Sequence, residues 1–190
     1  MSEQQQETEK YVVSDGETVY RLISSPNGYN ELTGVSPDCF KLFRKNESYV
    51  SVERAKYCSL DEALANGEKI KMWFADGESF WGLACLQVLK IRQHQLLDVI
   101  SKYTDSHPGH AGILMKLSEG YVYKNKDGEP TPMEILALQT YLSGIVERVI
   151  NNTTIAQVTS NTEITAEDVL GTTERNEHDC KATLCTLVRE

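Results

Sequence analysis

Several features that would assign the chain to a class at once are missing from it. No run approaches the roughly 18 consecutive apolar residues that a membrane-spanning helix needs, so no such helix is expected. Basic residues are few: 19 Lys and Arg stand against 28 Asp and Glu, a net charge of -9. That balance speaks against non-specific binding to phosphate backbones, and direct contact with nucleic acid is not expected. Cysteine is scarce and irregular. Cys39, Cys58, Cys85, Cys180 and Cys185 are odd in number and follow no framework spacing, which reads as reduced thiols packed as small hydrophobes in the cytoplasm. The opening MSEQQQETEK is acidic and Gln-rich; it reads as a disordered tail and not as a signal peptide. There is no GxGxxG, no GxxxxGK[ST], no GxSxG and no CxxC, so no motif assigns a dinucleotide, P-loop, hydrolase or redox site, and no cofactor is expected.

What remains is the composition of a folded domain. The 190 residues are 40% hydrophobic and 25% charged, enough for one core with an appendage. The pattern divides the chain into residues 1–10, a single domain over 11–150, and a polar extension over 151–190. YVV at 11–13 and VYRLI at 19–23 are β-rich and separated by the turn Ser14-Asp15-Gly16. Tyr49 to Val52 reads as a strand. Ser59 with Glu62 forms a capping box for a short helix, with Gly67 in the left-handed closing position. IKMWF and FWGLACLQVLKI are apolar runs whose period does not separate strand from buried helix, and their aromatics favour strand.

Beyond residue 130 the period changes. Thr131-Pro132-Met133-Glu134 has the form of a capped helix start, with Pro at the first helical position. Ile135, Leu138, Leu142, Ile145 and Val149 follow at intervals of three and four, which predicts one long amphipathic helix from Pro132 to about Ile150. Its stripe would pack on the sheet or against a second helix, as an interaction surface. The expected fold is therefore α+β: a mixed or antiparallel sheet with one long helix packed on it. A weak helix is expected at Ala166 to Leu170, and His178-x-Cys180-x4-Cys185 is a faint metal-like spacing whose plainer reading is free thiols.

Three positions invite chemistry. Asp105-Ser106-His107-Pro108-Gly109-His110 gathers two of the four histidines beside a carboxylate. Imidazoles exchange protons near neutral pH and ligate metals. The Pro-Gly turn rules out the helical metal-site spacing, leaving either a turn-built site completed by Asp105 or a polar loop with His110 opening a strand. Arg21 interrupts an apolar strand, so its guanidinium must either bind an anion or face water. Ser51 alternates with Val50 and Val52 and is expected to share a cleft with it, while Glu53 and Arg54 continue that strand as an exposed mixed pair. A cysteine paired with His107 or His110 would make a hydrolase, but no neighbour in sequence activates any of these thiols.

The order VYRLIS, GVSPDCFKLF, SYVSVER, HPGHAGI resembles a scattered family of small bacterial proteins with no assigned activity. Its members carry an arginine-bearing first strand, a Ser-x-x-x-Phe segment, a Leu-Ser-Val or Val-Ser-Val strand and a terminal His-Ala-x-Ile strand. The matching positions are Arg21, Ser36, Phe40, Ser51, Val52, His110, Ala111 and Ile113. The resemblance spans residues 19–115 and implies a compact bacterial domain from a mobile-element or defence context. A looser similarity is to ADP-ribosyltransferase-like domains, where an arginine holds a cofactor phosphate, a serine supports the nicotinamide ribose and a glutamate completes the site. Carried over, those roles fall on Arg21, Ser51 and His110, with His110 standing where the glutamate belongs. Two functions are thus expected in order: a small acidic cytoplasmic interaction protein of the immunity, inhibitor or adaptor type, binding another protein or a second copy; or a nucleotide- or NAD-handling domain using Arg21, Ser51, His107 and His110.

Overall fold

The computed structural model describes residues 11–25, 28–42, 44–69, 79–126 and 128–151. The chain divides into two compact units, Met1–Asn152 and Thr153–Glu190. The second lies outside the described residues, as do the expected helix at 166–170, the His178 cluster, Cys180, Cys185 and the run IKMWF.

Six strands form one sheet: β1 (Thr18–Ser25), β4 (Tyr49–Arg54), β5 (Ser79–Gln87), β6 (Leu97–Ser101), β7 (His110–Met115) and β8 (Arg148–Ile150), in the order β6-β7-β4-β1-β5-β8. Every neighbouring pair is antiparallel. A two-stranded ribbon, β2 (Tyr29–Asn30) with β3 (Gly34–Val35), and a 3-10 turn at Pro37–Phe40 lie between β1 and β4 in the chain. The helices are α1 (Leu60–Lys69), α2 (Val88–Arg92) and α3 (Met133–Gly144). The class is α+β with an antiparallel sheet.

Register assigns the faces. Val19 pairs with Arg54, Arg21 with Ala84, and Val52 with Ala111. With Val50, Ile23, Leu86 and Ile113 these side chains share one face, and all but Arg21 are buried. The apolar members belong to the main core cluster together with Phe40 and with Ile135, Leu138 and Leu142 of α3. Tyr20 pairs with Glu53, and Glu53 with His110, so these residues and Ser51 share the opposite face. Tyr20, Cys58, Ala63, Leu64, Phe80, Leu83 and Cys85 are buried outside the main cluster, in a smaller layer between that face and α1.

Local chemistry explains the elements and the departures from expectation. The capping box forms: Ser59 Oγ accepts from the Glu62 amide at 3.3 Å, and the Ser59 amide donates to Glu62 Oε2 at 2.8 Å. Gly67 does not end the helix. It lies inside α1, where the Phe80 ring sits so close that a Cβ would collide with it. The apolar run after Ser79 is a strand only to Gln87 and then turns into α2. Residues 11–13 form no strand; their carbonyls are held instead by arginines, Val12 by Arg54 at 2.7 Å and Val13 by Arg92 at 2.9 Å.

The long helix is the main correction. α3 has 12 residues, ends at Gly144, and has Pro132 rather than Thr131 at its cap with no side-chain bond there. Ile135, Leu138 and Leu142 are fully buried, whereas Ile145 lies past the helix and Val149 is on β8, paired with Ala84. Gly144 weakens the helix, and the β-branched residues Ile145, Val146, Val149 and Ile150 favour an edge strand over further turns. Glu134 is not a capping residue either; its Oε1 accepts from the Ser118 amide at 2.7 Å.

Candidate functional site

Arg21, the expected anion fork, faces the core side of the sheet. Its Nε donates to the Cys39 carbonyl at 2.7 Å and its Nη1 to the Ser51 carbonyl at 2.9 Å. Burial lowers its pKa, yet a guanidinium keeps its proton in such surroundings. The side chain ties the 3-10 turn to β4 and satisfies two carbonyls that apolar neighbours could not. Arg54, expected to be exposed, is fully buried on the same face. Its Nε and Nη2 grip the two Glu17 carboxylate oxygens at 2.8 and 2.9 Å, and its guanidinium lies 4.7 Å from the centroid of the Tyr57 ring. A buried bidentate pair of this kind is destabilising to break, because removing one partner leaves an uncompensated charge.

Ser51, His107 and His110 come together on the other face, without Arg21. Ser51 Oγ lies 3.3 Å from His110 Nε2. The His110 and His107 rings are parallel, with centroids 5.0 Å apart. His107 Nε2 donates to Glu53, with both carboxylate oxygens at 2.8 Å. Tyr49 stands edge-on to His110 at 5.9 Å, and the Lys102 ammonium lies 4.5 Å from the Tyr49 ring centroid. Asp105 does not complete a metal site; it accepts from the Tyr103 hydroxyl at 3.3 Å. Among the described residues no three His, Cys, Asp or Glu side chains are placed to hold a metal ion.

The segment that delivers His107 is a closed turn. Its amide donates to the Thr104 carbonyl at 3.0 Å, the His110 amide to the His107 carbonyl at 3.3 Å, and the Gly109 carbonyl accepts from the Arg54 amide at 2.7 Å. Gly109 sits in tight quarters: a Cβ there would press on Cys58 and Glu53 at 3.2 Å each. Between this turn and α1 lies an open cleft of about 320 Å³, bordered by Glu53, Tyr57, Cys58, Glu62, Lys69 and His107.

Burial sets the protonation in and beside the cleft. It pushes Glu53 above the ordinary carboxyl value, although the adjoining His107 pulls the other way. It pushes His110 below the ordinary imidazole value, helped by the charges of His107 and Lys102. Cys58 is pushed up to about 11 by burial and by Glu53 and Glu62. A thiol at that value carries almost no thiolate at neutral pH, so Cys58 is no ready nucleophile. The described cysteines Cys39, Cys58 and Cys85 are free and buried.

Glu53, like Arg54 expected to be exposed, is buried. The signal was there: strand alternation sets Ser51 and Glu53 on one face. A second feature had no sequence signal beyond exposed apolar residues near turns. An apolar groove of about 310 Å³ runs between the segment after β7 and the start of α3, bordered by Leu117, Val122, Tyr123, Pro130 and Pro132 with Lys124 and Lys126. Tyr121, 70% exposed, and Met133, 79% exposed, flank these segments in the chain. No helix among the described residues is long and apolar enough to cross a membrane. Comparison with known proteins found no match to a protein-family model, a curated protein or a solved structure.

Proposed function

We propose that the protein acts by binding another protein, as a small bacterial cytoplasmic interaction module of the immunity, inhibitor or adaptor type. The stripe on α3 cannot be the docking surface, since Ile135, Leu138 and Leu142 are in the chain's own core. The observation that carries the reading is the groove between Leu117 and Pro132, with the exposed Tyr121 and Met133 in its bordering segments. Exposed apolar patches mark contact sites, and Tyr and Met are enriched in interfaces. A photo-crosslinking residue placed at 121 or 133 in growing cells should give a discrete adduct, while one at the exposed Asp61 of α1 should give none. An adduct of twice the chain's mass would identify a second copy as the partner. Absence of any adduct from 121 and 133 removes the proposal.

The nucleotide- or NAD-handling alternative draws support from the contact between Ser51 and His110. It lacks its fixed positive fork, because Arg21 is engaged by two carbonyls on the other face. Calorimetric titration with NAD and with ATP tests it directly, and a flat isotherm for both excludes it.

A further inference from the structure

On the face away from α3, two stacked imidazoles lie beside one carboxylate, which binds only one of them. Both oxygens of Glu53 lie 2.8 Å from His107 Nε2, so the carboxylate is paired with His107. Among the described residues His110 Nε2 meets the Ser51 hydroxyl, which offsets no positive charge. The other groups around the pair are Tyr49 and Glu53 from β4, Lys102 after β6, Asp105 in the turn, and Cys58, Glu62 and Lys69 across the cleft. Of the acids, Glu62 is engaged by the amide and hydroxyl of Ser59, at 2.8 Å each, and Asp105 by Tyr103. The cation whose charge reaches His110 is Lys102, and it adds to the repulsion.

The two rings differ in how firmly the backbone holds them. His110 begins β7 and is locked in the ladder, opposite Glu53, with its carbonyl accepting from the Lys102 amide at 2.9 Å. His107 is in the turn, where Thr104, Asp105 and Ser106 are exposed. We propose that residues 102–109 form a proton-operated latch on the cleft, closed while His110 is neutral and released when His110 takes a proton beside the stacked His107 ring. A protonated His110 ring lies parallel to the His107 ring at 5.0 Å and is opposed by the charges of His107 and Lys102, so the ring in the turn yields while the ring in the strand stays. Ser106, His107, Pro108 and Gly109 border the cleft opposite Glu62 and Lys69 of α1, so release widens it and uncovers Glu53 and Cys58. The burial and charges that depress protonation of His110 keep the latch shut at neutral pH and set its opening below the ordinary histidine range.

Amide hydrogen exchange on the full chain at pH about 7.5 and about 5.5, corrected for intrinsic exchange, tests the latch over the range in which histidine titrates. The His107 and His110 amides should lose protection at the lower pH, while the Val52 and Ile113 amides in the ladder keep theirs. In His110→Gln the His107 amide should be equally protected at both values, and the ladder amides report whether that variant is folded. NMR titration of the wild type supplies the second measurement: the turn amides and the His110 ring should share one midpoint. Undiminished protection at low pH, the same loss in folded His110→Gln, or separate midpoints would each overturn the proposal.

Discussion

The two faces of the sheet carry polar residues under opposite rules. Arg21 and Arg54 lie on the face that carries the main apolar core, and each donates to groups of its own chain. Toward α1, Ser51, Glu53, His107 and His110 border or adjoin an open cleft, and their contacts are side chain to side chain. A buried guanidinium must be satisfied for the fold to exist, whereas a partly solvated imidazole can exchange its partner for water. The first face therefore determines stability, and the second is free to respond to conditions.

Substitutions can break that contrast, beginning where the loss should be greatest. Leu142→Asp places a charge in the α3 contact, which is fully buried, and should cost about 4–5 kcal/mol or more in denaturant unfolding. Arg54→Ala should cost about 3–5 kcal/mol, since it removes the buried positive charge paired with the Glu17 carboxylate, which keeps the Ser14 donors, and the donor to the Val12 carbonyl. A midpoint equal to wild type would show that the pair sits in water after all. Arg21→Ala should cost about 1–3 kcal/mol through the bonds to the Cys39 and Ser51 carbonyls that it removes, with no effect on any ligand. On the other face, Ser51→Ala should fall within about 0.5 kcal/mol of wild type in the same measurement.

The smallest effect is the most diagnostic, and it is pH-dependent. His110 has a folded pKa below its unfolded value, so the folded state binds that proton less readily. Its contribution to stability is complete above the unfolded value, near 6.5, and is lost as pH falls through that point toward the folded one. Glu53 has the opposite sign, because its raised pKa makes its contribution complete at low pH and lost as pH rises. Denaturant midpoints recorded from pH about 7.5 downward should dip in the histidine window, and His110→Gln should flatten the dip. An identical dip in that variant would place its source elsewhere.

Local patterns in the sequence were good guides where the physics is local. The Ser59–Glu62 capping box, the strands carrying Arg21, Ser51 and His110, and the apolar positions Ile135, Leu138 and Leu142 all follow from spacing. The errors share a cause in tertiary context. VYRLI and YVSVER look alike in period, but nothing local tells that Arg21 meets the Cys39 carbonyl or that Arg54 meets Glu17, 37 positions away. Three-and-four spacing continued past Gly144, yet pairing with Ala84 made Val149 a strand residue. Strand parity alone would have separated Arg21 from the Ser51 face had the relative register of β1 and β4 been known. For the same reason His107 and Glu53, 54 positions apart, were not seen as a pair.

Arg92 has a consequence of a different kind. The Leu96 carbonyl accepts from the Lys116 amide and the Lys102 amide donates to the His110 carbonyl, so the even-numbered peptides of β6 face β7 and that of Val99 points outward from the rim of the sheet. There the Val99 amide donates to Asp98 Oδ1 at 2.8 Å, and the Val99 carbonyl accepts from Arg92 Nη2 at 2.8 Å. Arg92 also holds Asp98 through its Nε at 3.0 Å. An unpaired sheet rim is a template on which a stray strand can add and from which aggregates grow. Here the middle of the rim is already occupied by the chain's own side chains, which guards a crowded cell's worth of copies against sticking edge to edge.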